Sequence, residues 1–216
     1  MICPADLVDV IAPNGRAVTD NFKAWFQSSK VVGADGKPQV VFHGTAKDFH
    51  SFDAEKAGRN YISTGGQRGF FFTDNPGTAS VYAEKPAFAY LNPNGDPKHA
   101  RFGDGTANIM PVYLSLQQPI EITTKQSPDK YFDYNRDKIY ERAQKAGADG
   151  VIVKGVGEHP RTLYIAFDAR QIKSAIGNSG VYDRESSALH DLVAESNEPG
   201  ATQVVASGPS RRPRPR

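Results

Sequence analysis

The chain has 216 residues, of which 38% are hydrophobic and 23% charged, and its formal net charge is +2 at pH 7. This length supports one well-buried core, and so small a positive charge does not by itself indicate binding to nucleic acid. The single cysteine, Cys3, excludes an intramolecular disulfide and an all-cysteine zinc site. No apolar run approaches the roughly 20 residues that span a bilayer, and no signal-peptide core is present. We therefore expect a soluble, cytoplasmic protein without a membrane partner.

Short apolar and amphipathic runs, separated by turn residues, predict the secondary structure. In chain order they predict a helix capped by Thr19 or Asp20, strands over 39–43 and 70–72, a helix from Asp74 to about Tyr90, a strand over 110–116, a helix over 133–146, and strands over 150–153 and 162–167. In the last of these helices, Tyr134, Ile139 and Ala143 are expected to point inward. Polar loops are expected over 46–68 and 92–108. Many short strands with few helices and long loops favour an α+β domain over alternating βαβ units.

The apolar periodicity is confined to the middle of the chain. It begins in the first predicted helix, where Phe22 and Trp25 are three residues apart, and it fades towards the C-terminus. We therefore divide the chain into an extension over 1–18, a folded domain over 19–185 and a disordered tail over 186–216.

A histidine and a glycine end the first predicted strand. His43 can hydrogen-bond a ribose hydroxyl, and the backbone at Gly44 can approach a ligand closely because glycine has no side chain. Alternatively, His43 is a strand-end histidine that bonds a loop carbonyl. The tripeptide 43–45 does not decide between these interpretations on its own.

Two aromatic residues 11 positions apart form the second feature, Phe71 in a predicted strand and Tyr82 in the following helix. Both can face the pocket that His43 borders. Two aromatic faces would hold the cationic pyridinium ring of NAD by stacking and cation–π attraction, worth roughly 0.5–2 kcal/mol each. The attraction weakens once nicotinamide leaves as a neutral ring. Their neighbours Phe70 and Phe72 are interpreted as core residues.

Together, the tripeptide 43–45, the run 69–73 and Tyr82 resemble the diphtheria-toxin-like branch of the ADP-ribosyltransferases, which includes the poly(ADP-ribose) polymerases. The chain is more similar still to the ADP-ribosyltransferase domains of phage and mobile-element polyvalent proteins, over about residues 20–183. Further matching stretches are 21–26, 40–45, 72–73 and 171–178. The resemblance implies a split β-sandwich with a few short helices, and NAD as a substrate.

The resemblance also assigns roles to individual residues. In that branch the histidine contacts the adenine-side ribose and the next glycine grips the carboxamide, which implies these roles for His43 and Gly44. Thr45 completes the motif. Phe71 and Tyr82 would sandwich the nicotinamide ring.

Two positions depart from the usual residues of the branch. Ala79 stands where a carboxamide-binding serine is frequent, and Phe71 stands where tyrosine is usual. The first change removes a hydrogen bond, while the second keeps the stack. By similarity to the donor loop of the family, Arg68 could cover the NAD phosphates together with Arg59 and Tyr61, or each of these residues belongs to a solvated loop.

The catalytic carboxylate is missing from its usual place. The family places a glutamate at the start of a late strand, where it stabilises an oxocarbenium-like transition state, and that position is Leu163 here. Glu158 could reach in from the preceding loop, or it is a solvated loop charge. Gln171 could supply a polar contact, or it is a structural glutamine. Otherwise the chain is weakly active or inactive, with His43 and Tyr82 positioning NAD.

We therefore predict a mono-ADP-ribosyltransferase that acts on a macromolecule and is monomeric. The acceptor could be protein, RNA or DNA. We expect the chain to act in a bacterial cytoplasm, where it is either made by the bacterium or delivered by a phage. A glycohydrolase toxin that transfers ADP-ribose to water is the first alternative. An inactive module that binds NAD or nucleic acid is the second. No histidine spacing indicates a metal site, so no metal is expected.

Overall fold

The computed structural model of the chain describes residues 11–12, 15–55, 68–84 and 107–191. Within these ranges the α-helices are α1 (Val18–Phe26), α2 (Pro76–Glu84) and α3 (Pro128–Ala146). The strands are β1 (Val41–Thr45), β2 (Phe70–Thr73), β3 (Asn108–Leu114), β4 (Ile120–Thr124), β5 (Gly150–Gly155), β6 (Thr162–Ala166) and β7 (Ile172–Ser174). The fold is α+β, as the sequence predicts.

The described strands form one sheet in the order β4-β5-β6-β2-β1-β3-β7. β4 and β5 run parallel, because α3 returns the chain from the end of one strand to the start of the other. The remaining neighbours are antiparallel. This order places β1 and β2 in the interior of the sheet.

Each face of the sheet carries its own apolar cluster. One face combines strand residues such as Val41 and Phe72 with the loop residues Phe52 and Leu189. On the other face α3 packs onto the central strands through a cluster made of Phe132, Ile139, Tyr140, Val151, Val153, Leu163 and Ile165. α1 covers Tyr113 at the far end of the sheet.

β1 and β2 separate at the centre of the sheet. β1 pairs with β3 at five positions but with β2 only through Phe42 and Thr73. β2 instead pairs with β6 along its whole length. The sheet is therefore split beyond Phe42, and residues 43–45 border the opening.

The predicted strands are confirmed as β1, β2, β3, β5 and β6, whereas β4 and β7 are not predicted. β7 has three residues, too few for an alternating pattern to be recognised. β4 has the sequence Ile-Glu-Ile-Thr-Thr, whose two apolar residues give a weak signal. The continuation of α2 to residue 90 and the loops over 56–67 and 92–106 lie outside the described residues.

The start of α3 and one of its inward residues differ from the prediction. α3 begins at Pro128 rather than at residue 133, so its first turn was missed. Ile139 and Ala143 are buried as predicted, but Tyr134 is 82% exposed, and its predicted inward position is wrong. Tyr134 lies off the stripe of buried residues that begins at Phe132, because two residues along a helix point to different sides.

The first helix is confirmed, with Phe22 and Trp25 buried in its apolar cluster. Its predicted caps are wrong. The N-cap is Ala17, not Thr19 or Asp20, and no side chain caps the helix.

Asp74 does not cap α2. Its Oδ1 accepts a hydrogen bond from the backbone N–H of Thr162 at 2.9 Å and thereby joins the start of β6 to the end of β2. The carboxamide oxygen of Asn75 accepts the N–H of Thr78 at 3.0 Å and caps the helix instead. The prediction was therefore wrong by one residue.

The described chain stays packed as far as Asp191. Leu189 is fully buried, and the Asp191 carboxylate forms a buried 2.6 Å ion pair with Lys173. Packing thus extends beyond the domain boundary expected at residue 185. Residues 192–216 lie outside the described ranges, and the division of the chain into three parts stays a prediction.

Replacing Gly44 tests the close packing between β1 and α2. A Cβ atom at this position would lie 2.8 Å from the Ala79 carbonyl carbon and 3.0 Å from the Ala83 nitrogen, both of which are backbone atoms. We expect Gly44→Ala to lower the free energy of unfolding in urea by about 3 kcal/mol, the upper end of overpacking costs. Gly77→Ala in α2 meets only the Asn75 side chain at 3.1 Å. It should change the free energy by less than about 1 kcal/mol, and equal stability of the two variants would contradict the packing.

Candidate active site

His43 joins the two strands that border the opening. Its Nδ1 lies 2.8 Å from the Phe71 carbonyl oxygen. Since a carbonyl oxygen only accepts, Nδ1 carries the proton, and Nε2 of the neutral ring is an acceptor. Burial lowers the pKa of His43 below its ordinary value, while the hydrogen bond to Phe71 raises it to a smaller extent. The imidazole is therefore neutral at pH 7 and can accept a ligand hydroxyl.

His43 and Phe71 lie on opposite faces of the sheet. The imidazole packs against three phenylalanine rings at centroid distances of 5.0–6.2 Å: Phe49, Phe52 and Phe72. Side chains alternate along a strand, so the next residue, Gly44, lies on the face that carries Phe71. The pairing of Phe42 with Thr73 fixes this register. The His43 side chain therefore borders the opening from the face of the sheet opposite to Phe71. The two side chains do not line the same wall of a pocket.

α2 crosses β1 directly at Gly44. The space that a Cβ would need is occupied by the backbone of Ala79 and Ala83, so only glycine allows this approach. Ala79 is 1% exposed and contributes no side-chain donor. Any hydrogen bond to a ligand at this point must therefore come from the backbone.

Phe71 and Tyr82 both contact the beginning of α3. The rings of Phe71 and Phe132 meet edge to face with centroids 5.5 Å apart. The Tyr82 hydroxyl donates to Asp129 Oδ1 at 3.4 Å, and the residue is 48% exposed. The two aromatic residues named by the sequence are thus brought to one region, bounded by α2, β2 and the first turns of α3.

The hydroxyl of Tyr82 stays protonated. Burial of the hydroxyl end raises the pKa of Tyr82, and the negative charges of Asp129 and Asp133 raise it further. The positive charge of Arg161 opposes this effect only in part. Tyr82 is therefore a hydrogen-bond donor on a half-exposed side chain.

An ion pair fixes the carboxylate beside Tyr82. The Arg161 guanidinium donates to Asp129 Oδ2 at 2.7 Å and to the Ser127 hydroxyl at 2.6 Å. The side chains of Arg161 and Asp129 are 33% and 21% exposed. Such charge-assisted bonds are short and orient the carboxylate.

Leu163 fills the place where the resemblance implies a glutamate. It pairs with Thr73 on one side and Val153 on the other, and it is 6% exposed within the cluster under α3. A shift of one residue would move the position to Thr162 or Tyr164, whose side chains belong to the opposite face. The described strand register therefore offers no carboxylate in β6.

Glu158 and Gln171, the two candidates for a substitute, have different surroundings. Glu158 is exposed in the turn between β5 and β6. The Gln171 carboxamide oxygen accepts the backbone N–H groups of Phe167 and Asp168 at 3.0 and 2.8 Å, and its amide donates to the Asp149 carbonyl at 3.0 Å. Gln171 thus holds the turn after β6 together.

The remaining predicted contacts lie at the edges of the site. The Thr45 hydroxyl accepts the Lys47 N–H at 3.2 Å and shapes the turn after β1. The Arg68 backbone N–H donates to the Tyr140 hydroxyl at 3.2 Å, which anchors the chain beside α3. The Arg68 side chain is exposed. Arg59 and Tyr61 lie outside the described residues.

Sequence reasoning missed Ser127, Asp129 and Arg161. The segment Ser127-Pro128-Asp129 carried a usable signal, because proline at the first helical position followed by an acidic residue is typical of a helix start. Arg161 carried no signal, since only the fold brings it to α3.

Within the described ranges, no group of three or more histidine, cysteine, aspartate or glutamate side chains could hold a metal ion. None of the described helices is both long enough and apolar enough to cross a membrane.

Comparison with known families agrees with the fold. Within the described residues, a mixed seven-stranded sheet with three α-helices is consistent with an ADP-ribosyltransferase domain. Residues 33–182 match the family described as ADP-ribosyltransferase in polyvalent proteins. The chain belongs to this family. Searches of curated proteins and of solved structures find no match.

The low pKa of His43 predicts a loss of stability in acid. Because the folded state disfavours the proton, the unfolded chain binds more protons below about pH 6.5, the ordinary pKa of histidine. The free energy of unfolding should therefore fall as the pH decreases below this value, by at most about 1.4 kcal/mol per pH unit from His43. His43→Asn cannot titrate and should show a shallower decline in urea unfolding between pH 7 and 5. Parallel declines in the two proteins would refute this assignment.

Proposed function

We propose that the chain transfers single ADP-ribose units from NAD to a macromolecular acceptor, with release of nicotinamide. Membership of the ADP-ribosyltransferase family supports the reaction class. The observation that carries the proposal is that Tyr82, a half-exposed ring, and Phe71 both contact the start of α3, through Asp129 and Phe132 respectively. A half-exposed aromatic ring suits a flat cationic ligand.

In this proposal the nicotinamide ring stacks on Tyr82, and Phe71 closes the other side. The carboxamide bonds the Gly44 backbone on the side of β1 that faces the split, because the backbone of α2 occupies the face on which a Cβ would lie. His43 accepts a hydrogen bond from the adenine-side ribose through Nε2. Arg68 is suited to a phosphate because its charged side chain is exposed. Thr45 and Ala79 shape the two ends of the carboxamide site.

The reaction breaks the bond between C1′ of the ribose and the pyridinium nitrogen. Both bonding electrons leave with nicotinamide, which departs neutral and loses its cation–π attraction to the site. A nucleophilic oxygen or nitrogen of the acceptor forms the new bond to C1′, and its proton passes to solvent. Protein, RNA and DNA all offer such atoms. Transfer of single units is favoured over polymer growth, because polymer formation in the family normally relies on the glutamate that Leu163 replaces.

A second candidate function is binding of NAD without catalysis. Its support is Leu163, which is packed in the core where the family carries a charged catalytic residue. The aromatic pair is equally useful to a binding module. Release of nicotinamide separates the two functions, since a binding module leaves NAD intact.

Substitution of Tyr82 tests the proposed pocket. Tyr82→Ala removes the stacking surface, and we expect NAD affinity to fall roughly 10-fold, equivalent to about 1.4 kcal/mol. Nicotinamide release in the presence of bacterial lysate should fall to background. Tyr134→Ala is the matched control, because Tyr134 is a tyrosine that is 82% exposed on α3, away from the pocket. Calorimetry gives the affinity and chromatography gives the release.

The products separate transfer from hydrolysis. ADP-ribose labelled in the adenine should appear on a macromolecule, and free ADP-ribose alone would mean that water is the acceptor. Equal NAD affinity and equal release in the wild type and Tyr82→Ala would rule out the pocket.

A further inference from the structure

We propose that Asp129 is the catalytic carboxylate of this chain and replaces the glutamate that the family carries at the Leu163 position. The inference rests on the proposed function, because it concerns the same NAD site. It moves the catalytic charge from strand β6 to the first turn of α3.

The contact of the first turns of α3 with both aromatic residues is the first argument. Asp129 and Phe132 are three residues apart on α3 and therefore lie on the same side of the helix. Phe132 contacts the Phe71 ring at a centroid distance of 5.5 Å, and Asp129 contacts the Tyr82 hydroxyl at 3.4 Å. One helix face thus reaches both members of the proposed nicotinamide stack. The carboxylate stands at the edge of the Tyr82 ring, where the ribose attached to a stacked nicotinamide would lie.

The two oxygens of the Asp129 carboxylate have different hydrogen-bond partners. Oδ2 is fixed by Arg161 at 2.7 Å, so the side chain is oriented before a substrate arrives. Within the described part of the chain, Oδ1 makes a long contact of 3.4 Å with the Tyr82 hydroxyl and retains the capacity to accept a stronger bond. A ribose hydroxyl next to the reacting carbon is a suitable donor. Asp129 is 21% exposed, so solvent screens its charge less than that of a surface aspartate.

The residues considered earlier fit the task less well. Leu163 is apolar and 6% exposed. The Gln171 amide is neutral, and both of its ends are occupied by backbone groups. Glu158 is exposed to solvent in the turn between β5 and β6. Asp129 is a carboxylate that directly contacts one of the two stacking residues.

The chemistry assigned to Asp129 is stabilisation of positive charge. As the bond from C1′ to nicotinamide breaks, its electron pair goes to the departing ring and the ribose becomes oxocarbenium-like. The negative carboxylate, bonded to the adjacent ribose hydroxyl, lowers the energy of this cation more than that of the intact NAD. The carboxylate forms no covalent bond and is unchanged when the acceptor attacks C1′.

Asp129→Asn tests the assignment, with Asp133→Asn as the matched control. Both substitutions remove one negative charge near Tyr82 from the same helix, and Asp129 is the residue to which the inference assigns the contact with the ribose. We expect Asp129→Asn to lower the kcat of nicotinamide release at least 100-fold, as when a single charge-stabilising group is removed. Its NAD dissociation constant, measured by calorimetry, should stay within threefold of the wild-type value. Asp133→Asn should retain kcat within threefold.

Measurement of NAD binding keeps the test decisive if the ion pair also supports the fold. If Asp129→Asn does not bind NAD, Asp129→Glu, which keeps the charge and the partner Arg161, should bind NAD and retain more than a tenth of the wild-type kcat. Loss of kcat in Asp129→Glu with NAD binding intact would overturn the inference. If the wild type releases nicotinamide and Asp129→Asn does so with unchanged kcat, the assignment of Asp129 is overturned, while the proposed function stands. A wild-type chain that binds NAD but releases no nicotinamide would overturn both it and the proposed function.

Discussion

The hydrogen bond from His43 to the Phe71 carbonyl is the contact on which the arrangement of the site depends. β1 and β2 share one register pair and then diverge, and His43 Nδ1 spans the gap at 2.8 Å. A net value of about 1 kcal/mol is ordinary for such a bond, but leaving the buried carbonyl without a partner would cost more. The bond sets the distance between Gly44, on which α2 rests, and Phe71, on which α3 rests. Both helices that carry the candidate chemistry are therefore positioned by the same junction.

The relation between the two helices gives the site its charge distribution. Tyr82 from α2 contacts Asp129 from α3, and Arg161, the residue before β6, holds the carboxylate in place. The strand position usually taken by the glutamate is left to apolar packing under α3. A charge supplied by a helix does not require a buried carboxylate in the sheet, whose desolvation would be unfavourable. This explains how an apolar Leu163 and a charged site can coexist in one fold.

Local patterns predicted much of the fold and the aromatic part of the site. Phe22 and Trp25 reveal α1, and Phe71 and Tyr82 identify the proposed stack, because these signals depend on residues close in sequence. The strands β4 and β7 are not predicted from the sequence, because they are short and gain their stability from the neighbouring strands. The inward position predicted for Tyr134 fails because Tyr134 and Ile139 are five residues apart and therefore point to different sides of the helix. The contact between Asp129 and Arg161 joins residues 32 positions apart, so no local pattern encodes it.

The most direct test of the account is a crystal structure of the chain with a non-hydrolysable NAD analogue. The account predicts a nicotinamide ring stacked on Tyr82 at about 3.5 Å, the usual separation of atoms in van der Waals contact. Its carboxamide should bond the Gly44 backbone. The ribose hydroxyl next to the reacting carbon should lie within hydrogen-bond distance of Asp129 Oδ1. An analogue bound elsewhere, or bound at the split with this ribose directed away from α3, would contradict the central claim.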